Sequence, residues 1–163
     1  MNTIPYYHYY IKLVKEDDVL QALNVNQQEL IVTLQSIPEN KWNYSYAPGK
    51  WTIKQLLCHI IDTERIFAYR ALRFSRGDNS QLPPFDENLY VENAPINTIL
   101  WQNLIAEFNA VRQSTIFLYQ GLQNDHLLLK GKLEAGETDV LSIGYTICGH
   151  GIHHIEVLKS RYL

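Results

Sequence analysis

Apolar residues recur along this chain in steps of three and four, the spacing of one helix face, with no convincing run of strict alternation. That period restricts the architecture to helices packed on helices. A first helix is expected over about 17–35, with Leu20, Leu23, Leu30, Ile31 and Leu34 on its inner side. "SIPENKWNYSYAPGK" then ends it with two prolines and a glycine. The clearest start signal follows. Thr52 and Gln55 have the Thr-x-x-Gln spacing of a capping box, and Trp51 and Leu56 are placed to form a hydrophobic staple across it. This second helix should stop near Gly77. A third begins around Asn97 and carries Trp101, Leu104, Phe108, Val111, Thr115, Leu118 and Leu122 on one face. After a loop over about 123–137, a fourth starts near Thr138 or Asp139 and runs almost to the C-terminus.

Four helices with one apolar stripe each make an all-α four-helix bundle the economical fold. The connection "GDNSQLPPFDENLYVENAP" between the second and third helices is too long for a tight turn, so it predicts a crossover. At 163 residues the chain suits a single domain over 1–163, with 1–16 as an N-terminal extension. The tyrosines of that extension (Tyr6, Tyr7, Tyr9 and Tyr10) are expected to pack on their own bundle rather than on a second subunit. A net charge of −3 argues against a polyanion-binding surface. No stretch approaches the ~20 apolar residues of a membrane span, and the N-terminus lacks the pattern of a signal peptide, so a cytoplasmic protein is expected. Two cysteines, Cys58 and Cys148, offer no disulfide framework. They read as small buried hydrophobes, with a redox or ligand role as the alternative.

Half of the six histidines fall in "GHGIHH", residues 149–154. Followed by threes and fours, Ile143, Ile147, His150, His154 and Leu158 lie on one inward row. Thr146, Gly149, His153, Glu156 and Ser160 lie on another, small or polar throughout, which reads as solvent-side or loosely covered. His150 and His154 therefore interrupt an apolar row, where burying a polar ring without a partner costs a few kcal/mol. Either each is a core histidine bonded to a carbonyl or hydroxyl, or the i, i+4 spacing lets both reach one metal ion. His59 lies on the apolar side of the second helix, among Leu56, Ile60, Thr63 and Ile66. If those helices touch, it completes a three-imidazole site with one open position, as expected of a catalytic rather than a structural zinc. Gly151 stands where a zincin protease has its glutamate, so that chemistry is excluded. There is no Glu-x-x-His for a di-iron bundle, no P-loop and no dinucleotide fingerprint.

"APGKWTIKQLLCHIIDTERIFAYRALRFSRGD" resembles the second-helix signature of the DinB-like superfamily, and "GYTICGHGIHHIEVL" resembles its fourth-helix signature. "SIPENKWNYSYAPGKW" is similar to the family's preceding link, so the likeness extends from about residue 20 onward. The resemblance implies a bundle with a crossover and a divalent metal ion held by three histidines. Carried over by position, the ligands fall on His59, His150 and His154, leaving His153 outside. It further implies a metal-dependent enzyme of the kind that uses a low-molecular-weight thiol such as bacillithiol, mycothiol or glutathione. The expectation is an S-transferase joining that thiol to a small-molecule electrophile, or a related hydrolase or isomerase. Dimers are common in the family, so a homodimer is expected; nothing suggests a DNA-binding surface. The rival reading is a non-catalytic metal-binding bundle with a structural or stress-related site. Three imidazoles suit zinc first, and nickel, iron or copper as well.

Beyond these three, Asp62 lies one turn after His59 and is a candidate to orient an imidazole, ligate or act as a base, unless it forms a salt bridge with Arg65. Arg70 and Arg73 follow the His59 direction about 16–20 Å further along the axis by helical rise, too far for metal chemistry. Solvated surface arginines are their default reading, and holding a carboxylate at the mouth of a cleft is the alternative. His8 and His126 receive no role.

Overall fold

The computed structural model describes residues 4–163. Four long helices carry the fold: α2 (Val19–Gln35), α3 (Ile53–Ser75), α5 (Trp101–Gln120) and α7 (Val140–Val157). Shorter elements fill in between: α1 (Pro5–Ile11), α4 (Glu87–Asn93), α6 (Asn124–Leu127), and a hairpin of β1 (Lys130–Leu133) with β2 (Gly136–Asp139). No helix among the described residues is long and apolar enough to cross a membrane.

Side-chain caps set the starts. Asp18 accepts a hydrogen bond from Gln21 N at the head of α2, and Asp139 accepts one from Ser142 N at the head of α7. At α3 the capping box is complete: Gln55 N donates to Thr52 Oγ1 at 3.2 Å, and Thr52 N donates to Gln55 Oε1 at 2.8 Å. The third bundle helix begins at Trp101 and not near Asn97. A separate 3-10 turn, Ile96–Thr98, comes first, and Ile99 and Leu100 are extended, so the helix must nucleate again after them.

The connectivity is not up-down-up-down. α2 and α3, consecutive in sequence, each pack mainly on α5 and α7, so they face each other across a diagonal. Along α3 and α5, Lys54 meets Ile99 and Glu64 meets Arg112, an order that makes these helices parallel. Parallel neighbours need a return crossing, and residues 76–100 supply it, with α4 inside. That is the predicted crossover.

Two features escaped the periodicity. The hairpin occupies the loop expected over 123–137; its four-residue strands are too short for alternation to register. Within the N-terminal extension, of which residues 1–3 lie outside the described part, α1 lies on α7 and buries Tyr7. The Thr146–Gly149 part of that row is therefore a seat for α1, which corrects its reading as solvent-side or loosely covered, whereas Glu156 and Ser160 further along the row are exposed. A Cβ added at Gly149 would stand 1.9 Å from the Tyr10 carbonyl oxygen. The small residues of that row are what allow the backbones to meet.

Candidate metal centre

The antiparallel contact of α3 with α7 brings the two histidine-bearing faces together. His59 Nε2 and His154 Nε2 each lie 3.0 Å from His150 Nε2. Among the described residues, these three imidazoles form the one group whose ligand atoms all fall within 4.8 Å of one another. All three rings are buried. Gly151 keeps this part of α7 close to α2, since a Cβ there would meet Asn26 Oδ1 at 2.4 Å.

Burial governs the protonation of the group. Loss of solvent lowers His59 to about 4, with a smaller push from His153. His150 and His154 are held well below the usual imidazole value, by burial first and then by the neighbouring histidines. At neutral pH the cluster is three uncharged rings. His59 Nδ1 is 3.4 Å from Thr63 Oγ1, while His154 Nδ1 is buried with no hydrogen-bond partner among the described residues.

This donor set fits a divalent ion. A neutral imidazole has one N–H and one lone pair, and a ring with its proton on Nδ1 presents Nε2 as a lone pair. Three such lone pairs crowded together repel unless a cation lies between them. Zinc–nitrogen bonds of 2.0–2.1 Å in a tetrahedron put ligand nitrogens about 3.4 Å apart, close to the separations here.

The cluster opens onto a cavity of about 610 Å³, within the range of small-molecule sites. Aromatic rings form much of the wall. Trp51 lies 4.8 Å from the His59 ring, Tyr10 5.3 Å and Phe67 6.5 Å from the His150 ring, between centroids. Thr63, Arg70, Phe85 and the exposed Glu87 and Glu134 also line it.

Other expected residues stand apart. Asp62 is outside this cavity; it pairs with Arg65 at 3.5 Å and accepts from Cys58 Sγ at 3.7 Å, so the salt-bridge alternative is the arrangement present. His153 is half-buried, with Nδ1 3.2 Å from the Tyr9 hydroxyl. Neither cysteine joins the histidines. Burial, with Asp62 beside Cys58, pushes both thiols up to about 12, so they stay protonated. Arg73 is tied to Asp78, Tyr69 and Ser80. Arg70, by contrast, is only 4% exposed and lines the cavity, which corrects its reading as a solvated arginine out of reach. Helical rise counts Cα positions, whereas helix side chains lean toward the N-terminus, here back toward His59.

The fold and the site thus define a four-helix bundle with three converging imidazoles at the wall of a cavity. The DinB superfamily model matches residues 22–158, and the chain belongs to that superfamily. Among solved structures it is similar to YfiT from Bacillus subtilis, described as a probable metal-dependent hydrolase with an unusual four-helix bundle topology. The identity is 17%, over 88% of this chain and 85% of that one, with a TM-score of 0.74. It is also similar to the mycothiol-dependent maleylpyruvate isomerase, at 11% identity and a TM-score of 0.71 over 96% of this chain. There it spans 62% of the other protein. A search among curated proteins gives no match.

Proposed function

We propose that His59, His150 and His154 hold a divalent metal ion, zinc first among the candidates, in a thiol-dependent enzyme. Its reaction class is transfer of a low-molecular-weight thiol to an electrophile, or a related hydrolysis or isomerisation. The observation that carries this reading is the convergence of three neutral imidazoles at the wall of a cavity large enough for a small molecule. A structural zinc site is closed by four protein ligands, whereas a catalytic one has three and an open position. The cavity therefore favours catalysis over the structural or stress-related site. The metal-dependent and mycothiol-dependent descriptions of the two similar structures support the same direction.

A bound divalent ion would supply Lewis acidity, lowering the pKa of a thiol or water presented to it. The chain's own residues do the rest. Burial keeps the imidazoles deprotonated, so their lone pairs are available at neutral pH. Thr63 Oγ1 is placed to accept a hydrogen bond from a His59 Nδ1–H, the tautomer that leaves Nε2 as the lone-pair nitrogen. Trp51, Tyr10 and Phe67 exclude water around the rings and strengthen electrostatic interactions inside.

The test is turnover. Zinc-loaded protein is assayed with a panel of biological thiols and an electrophile such as monochlorobimane. Conjugation that requires metal and is lost in His59→Ala supports the enzyme; stoichiometric metal with no turnover across the panel sinks the catalytic reading.

A further inference from the structure

Among the described residues, Arg70 is the one buried charged side chain in the cavity wall. Placing a guanidinium out of water is costly unless an anion accompanies it. The other buried arginine has its anion: Arg112 is paired with Glu64. Among the described residues, no carboxylate lies within ion-pair distance of Arg70. Its two hydrogen bonds go to neutral acceptors, Tyr7 Oη at 3.4 Å and the Pro83 carbonyl oxygen at 3.1 Å. Tyr7 is no hidden counter-ion, because burial raises its pKa and keeps the phenol protonated. Phe67 and Phe85 flank the guanidinium, their ring centroids 5.4 and 5.9 Å from Cζ. Those rings offset part of the desolvation and hold the fork in place, yet they neutralise no charge. A guanidinium has five N–H donors, and two bonds leave it with donors to spare.

Its position relative to the imidazoles is bounded. The Phe67 ring is 5.4 Å from Arg70 Cζ and 6.5 Å from the His150 ring, so the two groups are at most about 12 Å apart. One small molecule can touch both. Glu87 and Glu134 stand exposed on the same cavity, so it is not a general sink for anions. Selectivity falls to a single planar fork, which matches one carboxylate.

We propose that Arg70 binds a carboxylate of the substrate, so that the cavity takes a small organic acid whose reacting group lies at the three imidazoles. The placement of the reacting group rests on the metal-dependent reading; the carboxylate site at Arg70 does not. Arg70 is then a binding residue that sets specificity by charge and by span.

Matched acids and amides test it. Cobalt-loaded protein is titrated with 6-mercaptohexanoate and 6-mercaptohexanamide, following the sulfur-to-cobalt charge-transfer band. The acid should bind about tenfold tighter, the scale of a charge-assisted hydrogen bond over a neutral one. Arg70→Gln should bring the two within about twofold at unchanged cobalt stoichiometry, and Arg70→Lys should restore part of the preference. Shortening the acid to mercaptoacetate should abolish the preference in the wild type, because thiol and carboxylate then cannot reach both groups. Acid and amide binding equally in the wild type would overturn the proposal and leave the metal reading intact. A wild type that takes up no cobalt would overturn the metal reading; hexanoate against hexanamide on that metal-free protein then decides Arg70 alone, and equal binding, or none, overturns it.

Discussion

Two groups of polar side chains are buried inside this bundle, and they are built in opposite ways. Around Arg112, charge and hydrogen bonds close on themselves. The guanidinium donates from Nε and Nη2 to the two carboxylate oxygens of Glu64 at 2.7 and 2.9 Å, and from Nη1 to Asn26 Oδ1 and the Leu23 carbonyl oxygen. Of its side-chain atoms, only Asn26 Nδ2 lacks a partner. Around His150, three neutral rings aim nitrogen at nitrogen with no carboxylate beside them. The first group joins α2, α3 and α5, and its guanidinium charge is matched by a carboxylate within the fold. The second joins α3 and α7 and borders a cavity. Buried polar groups closed by a charge partner hold a fold; buried ring nitrogens that converge on one another beside a cavity mark a site.

Mutation should separate the two. The largest effect on folding is expected at the closed group. Arg112→Met leaves the Glu64 carboxylate buried and unpaired, and should cost about 3–5 kcal/mol in urea unfolding without changing metal stoichiometry. Adding Glu64→Leu should recover most of that loss. If the single variant is as stable as the wild type, the closed group is not structural.

Acid should act on the open group. In the metal-free protein His59 titrates at about 4, against about 6.5 for an unfolded histidine. Between those values the unfolded chain binds more protons than the folded one, so stability is present above pH 6.5 and is lost as pH falls toward 4. The loss at His59 alone should be on the order of 3 kcal/mol, read from unfolding curves at pH 7 and pH 4. His59→Gln should flatten that slope.

For metal affinity the order reverses. His59→Ala, His150→Ala and His154→Ala should each weaken zinc binding at least about 100-fold, since even outer partners of metal ligands cost 10–100-fold. Competition against a chelating dye reads this directly. The smallest effect belongs to Asp62→Asn, which should stay within about 0.5 kcal/mol in stability and leave zinc affinity unchanged. A large loss there would return Asp62 to the site.

Much of this was legible from residue spacing. The capping box at Thr52 placed the start of α3, and the i, i+4 rows separated His150 and His154 from His153. The length of the link after Gly77 announced a crossover. Arg112 was hidden because the apolar stripe on α5 runs through its neighbour Val111, and a buried arginine has no sequence signature when its carboxylate is on another helix. The part of the cavity wall that α1 supplies through Tyr10 was hidden because a row of small residues looks alike whether it faces water or another backbone. Axial rise alone puts Arg70 out of reach of the histidines and leaves a carboxylate at a cleft mouth as its alternative role, because it ignores how far an arginine side chain reaches along its own helix.

On the proposed function, three imidazoles from α3 and α7 bind one ion and leave a position free. X-ray absorption on protein loaded with one equivalent of zinc tests it most directly. The spectrum should show three imidazole nitrogens and one further light atom at about 2.0 Å, with no sulfur from Cys58 or Cys148. A sulfur-containing shell, or protein that retains no stoichiometric zinc, would contradict it.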